Sequence, residues 1–190
     1  VQPILTKIPR AGTLLLSEPF MLDENFKRSV ILLCETRVDG AIGFVVNKKL
    51  DISLQEAIED FPEFDAPIYL GGPVQVDTLH FIHNLGDLIE GSIKISNRLY
   101  WGGNFEMVQM LIQNKMVSPD NFRFFIGYSG WGPGQLEKEV EENSWIMVDG
   151  LADDLLRLHQ TDNALWQKIM RDAGGRYSIM SNFPENPVLN

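Results

Sequence analysis

The chain has 190 residues, 16 Lys and Arg against 26 Asp and Glu, a formal net charge of −10 and one cysteine. A chain of this length buries about 70% of its unfolded surface, so it builds a sizeable core without staples, and 44% apolar residues place it among globular rather than disordered or fibrous proteins. One thiol excludes an internal disulfide framework and any multi-cysteine metal cage, and it fits a reducing, cytoplasmic setting.

The first residues, Val1 to Arg10, hold two prolines and two basic groups but no apolar stretch of signal-peptide length. No apolar run approaches the ~20 residues of a membrane-spanning helix. A short strand is predicted from Gly12 to Ser17, then a polar turn from Asp23 to Arg28 anchored by Phe26. Ser29–Glu35 and Ala41–Asn47 flank the Asp39-Gly40 turn signal and read as a β-hairpin buried on both faces. Ser53-Leu54-Gln55-Glu56 has capping-box spacing, predicting a helix from Leu54 to about Asp60, stopped before Pro62.

Ile68–Leu70 and Leu79–His83 are predicted strands joined through Gly71-Gly72-Pro73, and Ser92–Ser96 alternates as a half-exposed strand does. Asn104 is placed to cap an amphipathic helix on which Phe105, Val108, Met110, Leu111, Ile112 and Met116 share one side. Asn121–Tyr128 reads as an aromatic strand running into Ser129-Gly130-Trp131-Gly132-Pro133-Gly134 and a helix from Gln135. Trp145–Val148 is a further strand, with short helices near Ala152–Leu158 and Asn163–Asp172. Residues 175–190 are expected as a polar surface tail, and nothing divides the chain, so residues 1–190 are read as a single α/β (α+β) domain.

Gly127-Tyr128-Ser129-Gly130-Trp131 approaches a nucleophile elbow but ends in Trp131 where that turn needs glycine. Gly130 to Gln135 matches no phosphate-loop spacing; Pro133 lacks an amide hydrogen, and Glu137, Glu139 and Glu141 follow. His80 and His83, three apart on a strand, point to opposite faces, and His159 is distant, so no metal site is expected. Cys34, after four aliphatic residues, reads as a small hydrophobe. Asp153-Asp154 reads as charge at a helix start. Catalytic residues, metals and cofactors are therefore none in this reading.

Nucleic-acid binding needs a basic footprint, and the adjacent basic pairs are only Lys27-Arg28 and Lys48-Lys49. Residues 131–190 hold five basic against ten acidic groups, with the run Glu137–Glu142 read as a solvated helix face. Direct DNA binding is disfavoured.

Several segments together resemble the YqgE/AlgH family of bacterial proteins. They are Ala11–Leu16 with Pro19 and Met21, Phe26–Glu35, Asp39–Gly43 with Asn47, Gly71–Val74, and Gly127–Glu137 with Trp145. Two positions depart from the pattern: Thr36 stands where histidine is expected, and Ser129 where alanine is usual. The resemblance implies a mixed, partly barrel-like sheet flanked by helices, no established catalytic residues, and the label of transcriptional regulator, which the charge turns toward an indirect role. The expected function is a cytoplasmic binding or regulatory module for a protein or small-molecule partner. Its candidate face is built by Asn47, by Gly71, Gly72 and Pro73, and by Ser129, Gly130, Trp131, Gly132, Gln135 and Glu137. The alternative is an enzyme acting on a small molecule at residues 127–137, with Cys34 nearby.

Overall fold

The structure, a computed structural model, describes residues 2–158 and 162–185. The chain opens with β1 (Ile4–Leu5) and β2 (Leu14–Ser17), and the apolar run after Ser29 becomes β3 (Val30–Arg37). Across the Asp39-Gly40 turn lies β4 (Gly40–Val45), paired antiparallel with β3, which carries a bulge between Leu33 and Glu35. Alternation sorts the side chains as a doubly covered sheet requires. Leu14, Leu16, Val30, Leu32 and Cys34 enter one apolar cluster, whereas Leu15, Ile31 and Leu33 enter another.

The remaining strands are β5 (Ile68–Leu70), β6 (Val74–His83), β7 (Ile93–Lys94), β8 (Tyr100–Trp101), β9 (Phe122–Trp131) and β10 (Trp145–Asp149). Their order is β1-β10-β2-β3-β4-β9-β6-β8-β7, with β5 beside β9. β5 runs parallel to β9 and the other pairs are antiparallel, so the sheet is mixed. It stays open, ending at β1 and β7, so the expected barrel character stops short of closure. β9 is the hub: it meets β5 and β6 through Phe124–Ile126 and β4 through Ser129–Trp131.

Helices flank this sheet. α1 (Leu54–Ala57) has the predicted capping box, Ser53 Oγ accepting from Glu56 N, but it ends at Ala57 because Ile58 is already extended. α2 (Phe105–Gln113) is capped by Asn104, whose Oδ1 accepts from Met107 N at 3.0 Å. It stops before Met116 as Lys115 turns left-handed; Met116, beyond its end, and Met110, within it, both expected on its buried side, are exposed. α3 (Gln135–Glu141), α4 (Asp162–Asp172) and α5 (Gly175–Met180) complete the set. The expected surface tail is thus helical at its start: Tyr177 and Met180 of α5 pack on the core and Ser181 is buried, while residues 186–190 lie outside the described residues.

Trp166 of α4 is fully buried, and its indole N–H donates to Ser17 O at 2.9 Å, tying α4 to β2. Arg123, 4% exposed, crosses the core to donate to the carbonyls of Val46, Leu155 and Leu158 and lies 4.8 Å from the Tyr69 ring centroid. Three carbonyls and an aromatic face solvate this charge.

Candidate functional site

The two glycine segments singled out in the sequence meet in space. Gly71 donates its N–H to Ile126 O at 2.8 Å, and its carbonyl accepts from Val45 N and from Ser129 Oγ at 3.0 Å. A Cβ on Gly72 would stand 2.3 Å from Tyr128 O, and one on Gly127 would stand 2.6 Å from Gly72 O. Glycine is required here because backbone lies directly on backbone. The contact is buried, so Gly71, Gly72 and Ser129 support the loop and do not line its surface; Pro73 is exposed beside them.

Beyond that contact, β9 carries the chain to a projecting tip. Gly130, Gly132, Pro133, Gly134 and Gln135 are exposed, whereas Trp131 is 6% exposed. Glu139, one turn into α3, accepts from the indole N–H of Trp131 at 2.9 Å and of Trp145 at 2.7 Å through the same oxygen. Its other oxygen accepts from Gln135 Nε2 at 2.9 Å, and Gln135 Oε1 in turn accepts from Gly132 N at 3.0 Å. The two indoles meet edge to face at 6.1 Å. One carboxylate therefore fastens both tryptophans and, through Gln135, the glycine tip. Glu137, expected on the contact face, is exposed, whereas Glu139, expected on a solvated helix face, is the clamp. The signal for Glu139 was its i,i+4 spacing from Gln135 beside two flanking tryptophans.

Asn47 lies elsewhere and is 1% exposed. Its Oδ1 accepts from Val30 N at 2.8 Å, and its Nδ2 donates to Arg28 O at 2.9 Å and Asp162 O at 2.7 Å. It joins the start of β3 to α4 and does not share a surface with the glycine tip.

Groups with intrinsic reactivity are placed as follows. Cys34 is buried on the face opposite Ser129, since Leu33, Gly43 and Ser129 are register partners and Cys34 alternates with Leu33. Burial pushes its thiol well above the ordinary range. The Ser129 hydroxyl is committed to Gly71 O. His80 is half-buried among Phe44, Trp101 and Tyr128, and His83 is fully buried. His83 Nδ1 accepts from Leu85 N at 3.3 Å, which leaves its proton on Nε2, facing Ser92 Oγ and Gly102 O. Burial pulls both imidazoles below their ordinary value. His159 lies outside the described residues. Among the described residues no group of three His, Cys, Asp or Glu side chains is arranged to hold a metal ion, and no helix is long and apolar enough to cross a membrane.

A recess of about 820 Å³ opens on the far side of Trp145, rimmed by Lys7 and Arg176 of one sign and Glu18 and Glu141 of the other. None of the sequence-selected site residues lines it.

Comparison with known proteins matches a family model described as AlgH-like to residues 14–178. A UPF0301 protein of Chlorobium limicola is 44% identical over 183 residues, covering 95% of this chain and 96% of its own. One from Cytophaga hutchinsonii is 42% identical over 180 residues, covering 94% and 98%. The solution structure of the AlgH protein from Pseudomonas aeruginosa superposes with a TM-score of 0.71 at 25% identity, over 92% of this chain and 94% of that one. A crystal structure from Corynebacterium diphtheriae reaches 0.74 at 23% identity over 93% of both chains, a likeness of fold.

Proposed function

The chain belongs to the AlgH-like family, and we propose that it works as a non-catalytic, cytoplasmic binding module with an indirect regulatory role. Its contact face in this reading is the glycine tip, Gly130 and Gly132 through Gln135, with Glu137 and Pro73 beside it. Trp131, Ser129, Gly71 and Gly72 are the frame beneath, and Asn47 braces the sheet from a distance. The observation that carries this is the Glu139 clamp, which fixes an exposed, flexible-by-composition loop in one shape before any partner arrives. A loop already held loses little conformational freedom on binding. Glu137, Glu141 and Glu142 are exposed on α3 behind the tip, which favours a neutral or basic protein partner.

The test compares variants of the 190-residue chain by quantitative pull-down and by melting temperature. Glu137→Lys and Gln135→Arg should lose a partner that the unaltered chain retains; a partner or ligand held equally by all three proteins sinks the reading.

Direct contact with DNA is opposed by placement as well as by charge. Arg28 is buried, and Lys48 Nζ donates to the carbonyls of Glu24 and Asn25 at 2.9 and 2.8 Å. A gel shift at ~50 mM salt, where phosphate contacts are strongest, should show no retained duplex.

A further inference from the structure

The basic corner of this acidic chain is where its own C-terminal segment is seated. Lys27-Arg28 and Lys48-Lys49 are its adjacent basic pairs. They converge, because Lys48 bonds to the carbonyls of Glu24 and Asn25 and Asn47 bonds to that of Arg28. Arg28 is a non-glycine residue with left-handed backbone, φ 53°, and is 4% exposed. That uncommon conformation sends its guanidinium inward over Trp166, 4.1 Å from the ring centroid. Phe183 closes the arrangement: its carbonyl accepts from Arg28 Nη2 at 2.7 Å and its ring stacks on Phe20, centroids 5.5 Å apart. Burial pulls the guanidinium's pKa below its ordinary value, and the charges of Glu185 and Glu18 oppose that only in part.

The fit is incomplete in a specific way. Among the described residues, the buried side-chain polar atoms without a partner are Arg28 Nε and Nη1, Ser29 Oγ and Asn163 Oδ1. Ser29 follows Arg28 in the chain, and Asn163 stands one turn before Trp166 on α4, so all four belong to this corner. The seated segment gives the guanidinium one hydrogen bond, to the Phe183 carbonyl, and Glu185 acts on it through charge without bonding to it, whereas a buried guanidinium is best met by a carboxylate that takes two of its donors at once.

We propose that Phe20, Arg28 and Trp166 form a docking groove for a peptide segment in which an aromatic residue is followed closely by a carboxylate, and that Phe183-Pro184-Glu185 occupies it in cis as an under-fitting stand-in. A partner peptide places its ring on Phe20 and its carboxylate on Arg28, displacing the chain's own strap. This groove is separate from the glycine tip, so the two readings fail independently.

The experiment uses the 190-residue chain and a fluorescein-labelled peptide of the sequence Ser-Asn-Phe-Pro-Glu. Phe183→Ala weakens the cis occupant, and the peptide should bind this variant at least ~10-fold more tightly than the unaltered chain, with affinity falling as salt rises. Replacing the peptide's phenylalanine by alanine or its glutamate by glutamine should abolish the gain, and so should adding Phe20→Ala to the Phe183→Ala chain, its fold checked by circular dichroism. Arg28→Lys, if it folds, should lose binding because it lacks the fork. Equal affinity for both chains, no saturable binding, or indifference to the peptide's ring and carboxylate would each overturn the proposal.

Discussion

Glu139 illustrates how one side chain can change the meaning of a charge run. Its neighbours Glu137, Glu141 and Glu142 are exposed, yet Glu139 receives three donors, two of them from indoles 5 and 6% exposed. Glu139→Ala strands both indole N–H groups and should cost about 2–3 kcal/mol, because bonds to a charged acceptor are worth more than neutral ones. Urea unfolding should show a lower midpoint at unchanged slope, and the near-ultraviolet tryptophan bands should collapse. A second residue-scale prediction concerns His83. Its pKa is lowered in the folded state by burial, so the unfolded chain takes up a proton first as pH falls. The associated stability is present above the ordinary imidazole value of ~6.5 and is lost as pH falls from there toward the lowered folded value. A second proton on Nδ1 would also face the Leu85 N–H. Melting temperature measured between pH 7 and 5 should fall, and His83→Gln should flatten that limb; His80, lowered for the same reason, accounts for the slope that remains.

At the scale of elements, the glycines separate into those that receive backbone and those that only turn. Gly72 has φ 155° and would drive a Cβ to 2.3 Å from Tyr128, while Gly134 has φ 71° with nothing within 4 Å. Gly72→Ala should therefore cost ~3 kcal/mol or more, and Gly134→Ala only ~1–2 kcal/mol for its left-handed backbone. Denaturant midpoints of the two variants check this ordering. Strands and caps were legible because their signals are local: the capping box at Ser53, the Asn104 cap, the Asp39-Gly40 turn and the run from Val30 to Cys34 all appear where the sequence puts them. The extent of α2 was not, since apolar Met110 and Met116 carry the helical pattern while nothing packs over them. The frame of the candidate site was half legible. The glycines declared a special backbone, but whether Gly72 and Gly127 face a ligand or each other depends on β9 pairing with both β5 and β6, contacts between residues 39 to 56 positions apart. Asn47 shows the same limit: a polar residue at a strand end reads as a surface contact until α4 arrives from the other end of the chain to bury it.

The whole molecule is bound together by its ends. β10 lies between β1 and β2, and α4 and Arg28 reach from opposite halves of the chain to a common contact at Trp166. We expect residues 1–190 to unfold as one cooperative unit, with far- and near-ultraviolet circular dichroism transitions coinciding; two separated transitions would show independent parts.

The position of β2 also sets an order of events when the chain is made. Its Leu14–Leu16 edge pairs with Ile146–Val148, about 130 residues later. At ~5–20 residues per second, a ribosome leaves that edge waiting for roughly 6–26 seconds. The hairpin of β3 and β4 can cover one side of β2 early, but the other side stays open until β10 has been made, so the newborn chain spends that interval with an apolar strand edge for which chaperones and neighbouring nascent chains compete.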